Sequence, residues 1–122
     1  MKLFITFILV TSFAYAIRQN EEKLKLTNPS QTIYTNQHVQ IKQSSFSPLY
    51  LHVFEVVETG PAKHLNLTEK FQNEIMRIES FELIEDKGIS FWVAYLKKKN
   101  DDKKYVCEIK QALLSNEIIL LK

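Results

Sequence analysis

Hydrophobic and polar residues alternate most clearly between Ile89 and Gln111. Over Ile89–Leu96 both faces of a period-two pattern are largely apolar, which is typical of an inner strand covered on both sides. Over Tyr105–Gln111 only one face is apolar, which predicts a half-exposed strand. Residues 97–104 between them are all lysine, asparagine or aspartate, so we predict an antiparallel hairpin with a solvated tip.

Weaker alternation marks four other segments as strands. Thr32–Gln43 predicts a half-buried or edge strand, and Leu49–Glu58 predicts a longer strand. Phe81–Ile84 predicts a further strand, and Glu117–Leu121 predicts a last edge strand. Because the links between these segments are short, neighbouring strands are expected to be antiparallel.

One segment, which begins at Asn66, predicts a helix. Asn66 can cap the free backbone N–H groups of a first turn, and Glu69 follows three residues later, where it can reach back to the cap. Apolar residues then recur at offsets of four, four and three, as on one face of a helix: Leu67, Phe71, Ile75 and Ile78. We therefore predict an α+β fold, with one short helix packed on a curved, mainly antiparallel β-sheet.

The chain divides into three parts. Residues 1–16 combine a lysine, an apolar stretch and a small-residue cleavage motif, the layout of a secretory signal peptide. Residues 17–31 are polar and charged, which indicates a flexible N-terminal arm. Residues 32–122 are expected to form a single small α+β domain, since 122 − 16 = 106 residues give room for one core. We expect a secreted, extracellular protein without a membrane span after signal removal.

The charge balance is close to neutral. Lysine and arginine number 16 against 14 acidic residues, and loss of Lys2 with the signal peptide leaves 16 − 1 − 14 = +1. This balance gives no electrostatic reason to expect nucleic acid as a partner, so the expected partner is another extracellular macromolecule. The lysine-rich segment 97–104 can be interpreted as a heparin or nucleic-acid patch or as a hairpin tip kept soluble by charge, and Asp101 and Asp102 favour the hairpin tip.

A single cysteine, Cys107, excludes a disulfide within the chain. It falls on the same strand face as Tyr105 and Ile109, which favours a buried and inert thiol. The alternative is an intermolecular disulfide that joins two chains into a dimer.

Asn66-Leu67-Thr68 matches the acceptor pattern for N-glycosylation. A secretory signal would bring this tripeptide to the compartment in which the modification occurs. Asn66 is therefore a candidate for two roles, glycan acceptor and helix cap.

The motifs of common enzymes and metal sites are absent from the sequence. The three histidines, His38, His52 and His64, are in neither an H-E-x-x-H nor a zinc-finger spacing, and two glycines cannot form a nucleotide-binding loop. We therefore predict no catalytic residues, no metal, no cofactor and no enzymatic activity.

The element order from Gly60 onward resembles that of the secreted cystatin family, in which an antiparallel sheet wraps one helix. Gly60 ahead of the helix and the Lys103–Gln111 strand are placed as in that family. The resemblance implies inhibition of cysteine proteases, with Gly60, Asp86, Lys87 and Gly88 as contacts. The inhibitory motif of that family, Q-x-V-x-G, is absent from this sequence.

These observations favour a small secreted, non-enzymatic binding protein that presents a sheet face or loop to its partner. One alternative is a cystatin-like protease-inhibitor module without the usual inhibitory motif. Another is a small-molecule carrier with a pocket between helix and sheet, lined by Phe71, Ile75, Phe91 and Trp92.

Overall fold

The computed structural model describes residues 22–27, 30–57 and 63–121, which form a curled antiparallel sheet, a separate hairpin and a short helix. The helix α1 spans Ile109–Leu114, and one 3₁₀ turn spans Glu69–Phe71. No helix in these ranges is long and apolar enough to cross a membrane. In chain order the strands are β1 (Lys23–Thr27), β2 (Ser30–Tyr34), β3 (His38–Ile41), β4 (Leu49–Val57), β5 (Lys63–Thr68), β6 (Ile75–Asp86), β7 (Ile89–Lys98), β8 (Lys104–Glu108) and β9 (Ile118–Leu120).

Seven strands form the large sheet, in the spatial order β5-β4-β8-β7-β6-β3-β9. All neighbours in it are antiparallel, and the sheet curls into a half barrel. Strands β6, β7 and β8 form a meander, whereas β9 returns to pair with β3 at the far edge. Strands β1 and β2 pair with each other as a separate hairpin.

The hydrophobic core lies against one face of the sheet, which we call the inner face. Ala94 and Leu96 of β7 point into this core and are 0 % exposed. The β1–β2 hairpin contributes Leu26 and Ile33 to the same cluster, and α1 contributes Ile109. Both elements therefore cover the inner face, and the described ranges share one core.

The predicted pairing of the central hairpin is confirmed, but the expectation of an inner strand covered on both sides holds only for Val93–Leu96. Among the described strands, Ile89–Trp92 pairs only with β6, and Ile89 and Trp92 are 67 % and 40 % exposed. Strands β7 and β8 pair antiparallel, with Leu96 opposite Tyr105. The strands expected over Leu49–Glu58 and Phe81–Ile84 are present as β4 and as part of β6, and β9 lies at an edge as predicted. The local alternation of apolar side chains was sufficient to predict these strands from the sequence, because each of them buries one face.

The predicted helix beginning at Asn66 is wrong. That region contains the end of β5, the 3₁₀ turn and the start of β6, and Asn73 adopts a left-handed backbone with φ of 71°. A left-handed residue ends any continuous right-handed helix. In β6 the alternation sends Met76 and Ile78 into the core and leaves Ile75 47 % exposed, so sheet pairing overrides the helical spacing.

The N-terminal arm is ordered where the structure describes it. Lys23–Thr27 pairs with Ser30–Tyr34 as a hairpin, and Leu24 and Leu26 are each 6 % exposed. The polar residues of β1 lie at its exposed positions. Its two leucines lie at the alternate positions and point into the core. The expectation of a flexible arm over 17–31 therefore does not hold for this part, and 17–21 lies outside the described residues.

Two further strands differ from expectation. Strand β3 is an inner strand between β6 and β9 rather than an edge strand, and Val39 and Ile41 are 0 % exposed. The strand expected over Tyr105–Gln111 ends at Glu108, where the chain turns into α1. The fold is thus dominated by antiparallel sheet, and one helix of six residues does not make it clearly α+β.

A buried carboxylate accepts hydrogen bonds from backbone N–H groups in an irregular stretch of β4. The pairing of β4 with β5 shifts register midway along the strand, so part of its backbone leaves the ladder. Glu117 is 0 % exposed, and its carboxylate accepts hydrogen bonds from the N–H groups of Leu51 and His52 at 2.8 and 2.7 Å. The backbone N–H and the hydroxyl of Ser45 donate to the same carboxylate. Four donors therefore compensate the loss of water around the buried charge.

Replacement of Glu117 by alanine should destabilise the fold strongly. The Glu117→Ala variant leaves several buried donors without an acceptor, so we expect the free energy of unfolding to fall by roughly 3 kcal/mol or more. Urea unfolding followed by circular dichroism measures the change. Glu85→Ala, at an exposed position of β6, is the matched control and should change the value by less than about 0.5 kcal/mol. Equal stability of both variants would contradict the role of Glu117.

Candidate functional site

The outer part of the β6–β7 hairpin extends past its neighbours as a two-stranded ribbon. The two strands pair as far as Asp86 opposite Ile89. Strand β3 pairs with β6 only over 75–77, and β8 pairs with β7 only over 93–96. We call residues 83–92 the ribbon, because they have no other strand beside them in the described part of the chain.

One edge of the ribbon faces a position in the sheet that no described strand fills. Pairing between β7 and β8 stops at Val93, because the chain leaves the sheet after Glu108 and continues as α1. The edge of Ile89–Trp92 is therefore open, and we call the space beside it the open lane. An unpaired strand edge presents N–H and C=O groups that can pair with an added strand.

A hollow of about 460 Å³ lies along the open lane. Strand β1 borders it on one side and α1 on the other. Trp92 lines the hollow and is 40 % exposed, an unusually accessible position for a tryptophan. Two lysines and one carboxylate also line it: Lys25, Lys110 and Glu108.

On the outer face of the sheet, opposite the core, an apolar groove adjoins the ribbon. Val93 and Val106 are 6 % and 3 % exposed, yet they are not part of the main core cluster. Aromatic and aliphatic neighbours cover them and form a groove of about 180 Å³, lined also by Phe54, His64, Ile84, Phe91, Tyr95 and Glu108. The open lane therefore has apolar surface on both sides, with Trp92 on one face of β7 and Phe91 on the other.

Three of the four predicted contact residues lie at the tip of the ribbon. Asp86, Lys87 and Gly88 are exposed, and Lys87 and Gly88 have φ values of 52° and 80°. Positive φ at both central residues is what a two-residue hairpin turn of type I′ requires. Ile89 beside them is 67 % exposed. The fourth predicted contact, Gly60, lies outside the described residues.

Asn66 lies in β5 and caps no helix. Its side-chain amide nitrogen donates a hydrogen bond to the carbonyl oxygen of Tyr50 at 2.7 Å, within the irregular stretch of β4. The residue is exposed, and a glycosylated amide keeps one N–H that can donate. Glycosylation at Asn66 stays a prediction.

Cys107 is a free thiol in the core and is 0 % exposed. Burial raises its pKa from the ordinary value of 9.0 to about 12, because the thiolate would be poorly solvated there. This position favours the inert thiol over the intermolecular disulfide, which requires a sulfur atom within reach of a second chain.

The three histidines lie on separate strands, β3, β4 and β5. Nδ1 of His52 is buried without a hydrogen bond and lies 4.0 Å from Oε2 of Glu108, which is too far for one. Within the described ranges, no three side chains of His, Cys, Asp or Glu converge closely enough to hold a metal ion.

Of the residues expected to line a carrier pocket, Phe91 and Trp92 both border the hollow beside the open lane, but Phe71 and Ile75 do not. Phe91 and Trp92 are consecutive in β7 and point to opposite faces of the sheet. Phe71 packs edge-on against Tyr105 with ring centroids 5.5 Å apart. Because there is no helix over 66–78, the expected space between helix and sheet does not exist in the described residues.

Comparison with known proteins provides no relative from which a function could be transferred. Neither a protein-family model, nor a curated protein, nor a solved structure matches this chain significantly. The resemblance to cystatins required a helix ahead of the central hairpin, and strands occupy that region instead. The helix-wrapping architecture of that family is therefore absent from the described residues.

The open lane was missed in the sequence because the alternation of Tyr105–Gln111 suggested one continuous strand. A second pattern was available there. Ile109, Ala112 and Leu113 recur at helical spacing, and all three pack into or against the core. At Ile109 the alternation typical of a strand meets the spacing typical of a helix. This change of period is the sequence signal for the end of β8.

The buried thiol should resist modification in the native protein. At neutral pH we expect the disulfide reagent DTNB to react with Cys107 only after denaturation, because the sulfur is covered and protonated. Absorbance of the released thiolate at matched reagent concentrations, with and without urea, measures this. Rapid reaction of the folded protein would contradict the buried position.

The same pKa predicts a loss of stability at alkaline pH. The pKa of Cys107 is higher in the folded state than in the unfolded state. The thiol therefore contributes fully to the free energy of unfolding below pH 9.0, and this contribution is lost as the pH rises to about 12. The Tyr95 hydroxyl donates to Glu82, and this hydrogen bond, followed by burial, raises the pKa of Tyr95 to about 12, which acts in the same direction. Urea unfolding at stepped pH values should show a smaller decline in Cys107→Ala than in the wild type.

The two roles of Asn66 can be separated with two variants. Thr68→Ala and Asn66→Ala both remove the glycosylation signal, so neither should lose mass on glycosidase treatment after secretion from a eukaryotic host. Only Asn66→Ala also removes the hydrogen bond to Tyr50. Without glycan it should therefore be less stable than Thr68→Ala by about 1 kcal/mol. A wild-type protein secreted without glycan would contradict the modification.

Proposed function

We propose that this chain is a secreted, non-enzymatic binding protein that captures an extended polypeptide segment in the open lane. The observation that supports the proposal is the unpaired edge of Ile89–Trp92, which lies in line with β8. A captured segment would continue the sheet as an additional strand, with its backbone paired to the ribbon. Main-chain hydrogen bonds provide affinity in this mode of recognition, and pockets for alternate side chains provide specificity.

The surfaces beside the lane define the side chains that such a segment would carry. Alternate residues of an added strand point to opposite faces, so one set would contact Phe91 in the outer groove and the other would contact Trp92 in the hollow. Several aromatic groups line the outer groove, whereas the hollow offers Trp92 among mostly polar side chains. We therefore expect apolar residues on the groove side of the captured segment and one apolar residue against Trp92 on the other side.

The charge of the hollow favours an acidic residue in the same segment. Lys25 and Lys110 line the hollow, and among the described residues Glu108 is the one carboxylate that lines it. Electrostatic complementarity across an interface steers the partner and fixes its register. An acidic residue at one end of an otherwise apolar strand would be placed near the two lysines.

Three other features are consistent with a role outside the cell. The signal-peptide pattern of 1–16 supports secretion, and the acceptor tripeptide at Asn66 supports glycosylation. The absence of catalytic motifs from the sequence supports a binding role rather than an enzymatic one. The cystatin-like and carrier alternatives both depended on a helix over 66–78, where β5, the 3₁₀ turn and β6 lie instead.

Selection of peptides against the native protein tests the proposal. Random linear peptides displayed on phage should yield apolar, extended sequences with an acidic residue. Trp92→Ala should weaken their binding roughly tenfold or more, because a partly buried tryptophan is a typical affinity hot spot. Fluorescence anisotropy of a labelled selected peptide measures the affinity, and hydrogen exchange should show protection of the amides of Ile89–Trp92.

The matched control is Leu65→Ala, which truncates another exposed apolar residue, 56 % accessible, on the edge strand β5 and outside the lining of the hollow. It should leave the affinity unchanged. Protection of β5 instead of the ribbon, or equal losses in the two variants, would contradict capture in the open lane.

A further inference from the structure

A row of basic residues crosses three strands at the end of β7 that is remote from the ribbon. His38 lies directly opposite Arg77 in the β3–β6 pairing, and Arg77 lies directly opposite Lys97 in the β6–β7 pairing. Opposite residues share a face, and Met76 and Ile78 beside Arg77 point into the core. The three side chains therefore stand together on the outer face, and we call them the basic row.

The basic row is an unfavourable arrangement for the isolated fold. Like charges directly opposite each other in a sheet are destabilising. Arg77 is partly compensated by Glu79, with Nη2 and Oε2 3.8 Å apart, and by a hydrogen bond of 2.7 Å to Oδ1 of Asn36. Lys97 has no carboxylate within ion-pair distance among the described residues. A sheet that concentrates positive charge in this way is arranged to receive an anionic partner.

A hollow of about 580 Å³ lies over the basic row and extends to the β7–β8 turn. Lys99 adds a further positive charge to its lining, two residues beyond Lys97. The lysine between them, Lys98, is occupied elsewhere, since it lies 3.3 Å from Glu74 and stands over the Phe71 ring. Positively charged side chains therefore line the hollow in two directions. One crosses the strands from Arg77 to Lys97, and the other follows the chain from Lys97 to Lys99 in the β7–β8 turn.

We propose that this hollow binds a sulfated polysaccharide. Adjacent strands are about 4.8 Å apart and alternate residues of a strand about 7 Å apart. Arg77, Lys97 and Lys99 thus form an array of cations, with His38 beside it, that a flexible chain with closely spaced sulfate groups can follow. Arg77 can hold a sulfate through two parallel N–H groups, and the lysines act as point charges.

The lining of the hollow disfavours the other common polyanions. No phenylalanine, tyrosine or tryptophan of the described chain lines it, so single-stranded nucleic acid would find no platform there on which bases stack. Among the described residues of the lining, Ile75 is the one large apolar side chain that is substantially exposed, at 47 %, so the site lacks the broad apolar face with which an amphipathic surface inserts into a membrane. A sulfated polysaccharide needs neither feature.

This site is separate from the open lane and does not depend on peptide capture. It also differs from binding through overall charge, since the whole chain carries a net charge of only +2. The expectation of an extracellular polysaccharide rests on the secretion proposed from residues 1–16, but binding in solution tests the site without that assumption.

Titration with a size-defined heparin oligosaccharide tests the inference. The double variant Lys97→Gln with Lys99→Gln should bind it at least about tenfold more weakly at low salt, and the slope of log affinity against log salt should fall by about one to two. Isothermal titration calorimetry at several salt concentrations provides both quantities. Thermal unfolding should show that the double variant is at least as stable as the wild type, because the substitutions relieve repulsion.

The matched control is Lys23→Gln with Lys70→Gln, which removes the same charge from exposed positions outside the hollow. It should retain wild-type affinity and salt slope. Equal losses in the two double variants would overturn the site, as would wild-type binding too weak to detect at low salt. Equal or tighter binding of single-stranded DNA, or of vesicles rich in anionic phospholipid, would overturn the assignment to a sulfated polysaccharide.

Discussion

The buried carboxylate of Glu117 is the constraint on which the curled sheet depends. It immediately precedes β9 at one edge and binds the backbone N–H groups of β4, the strand next to the other edge. The backbone of Glu117 also accepts from the N–H group of Lys42, whose carbonyl in turn accepts from the Tyr50 hydroxyl. A sheet closed by these contacts is held as a half barrel, because releasing any of them would leave a buried polar group without a partner.

This closure explains why the candidate site exists. To bring Glu117 beside β4, the chain has to leave the middle of the sheet after Glu108 and reach the far edge through α1. Strand β8 is therefore shorter than β7, and the edge of Ile89–Trp92 has no neighbour in the described residues. The same route places α1 and its Lys110 beside the lane. The binding surface is thus a consequence of how the fold closes rather than an addition to it.

The two ends of β7 have different chemistry and suit different partners. Over 79–92 four acidic residues and one lysine give −4 + 1 = −3, and the acidic residues all lie on β6, away from the open lane. Over 97–104 five lysines and two aspartates give +5 − 2 = +3. A chain that is almost neutral overall is therefore strongly polarised along its central strand. Local charge, which depends on register, governs recognition here more than net charge does.

The sequence by itself determined the central hairpin, the long strand β4 and the terminal edge strand, because each buries one face and its alternation is a local property. It did not determine the region 66–78, where the spacing of Leu67, Phe71 and Ile78 fits a helix. Pairing with β4 selects β5 before the 3₁₀ turn that contains Phe71, and pairing with β3 and β7 selects β6 after it. The burial of Leu24 and Leu26, the capture of the β4 backbone by Glu117, and the basic row were decided by the tertiary structure alone. Each depends on residues that are distant in sequence and come into contact only when the sheet has curled. A local sequence pattern cannot predict such contacts.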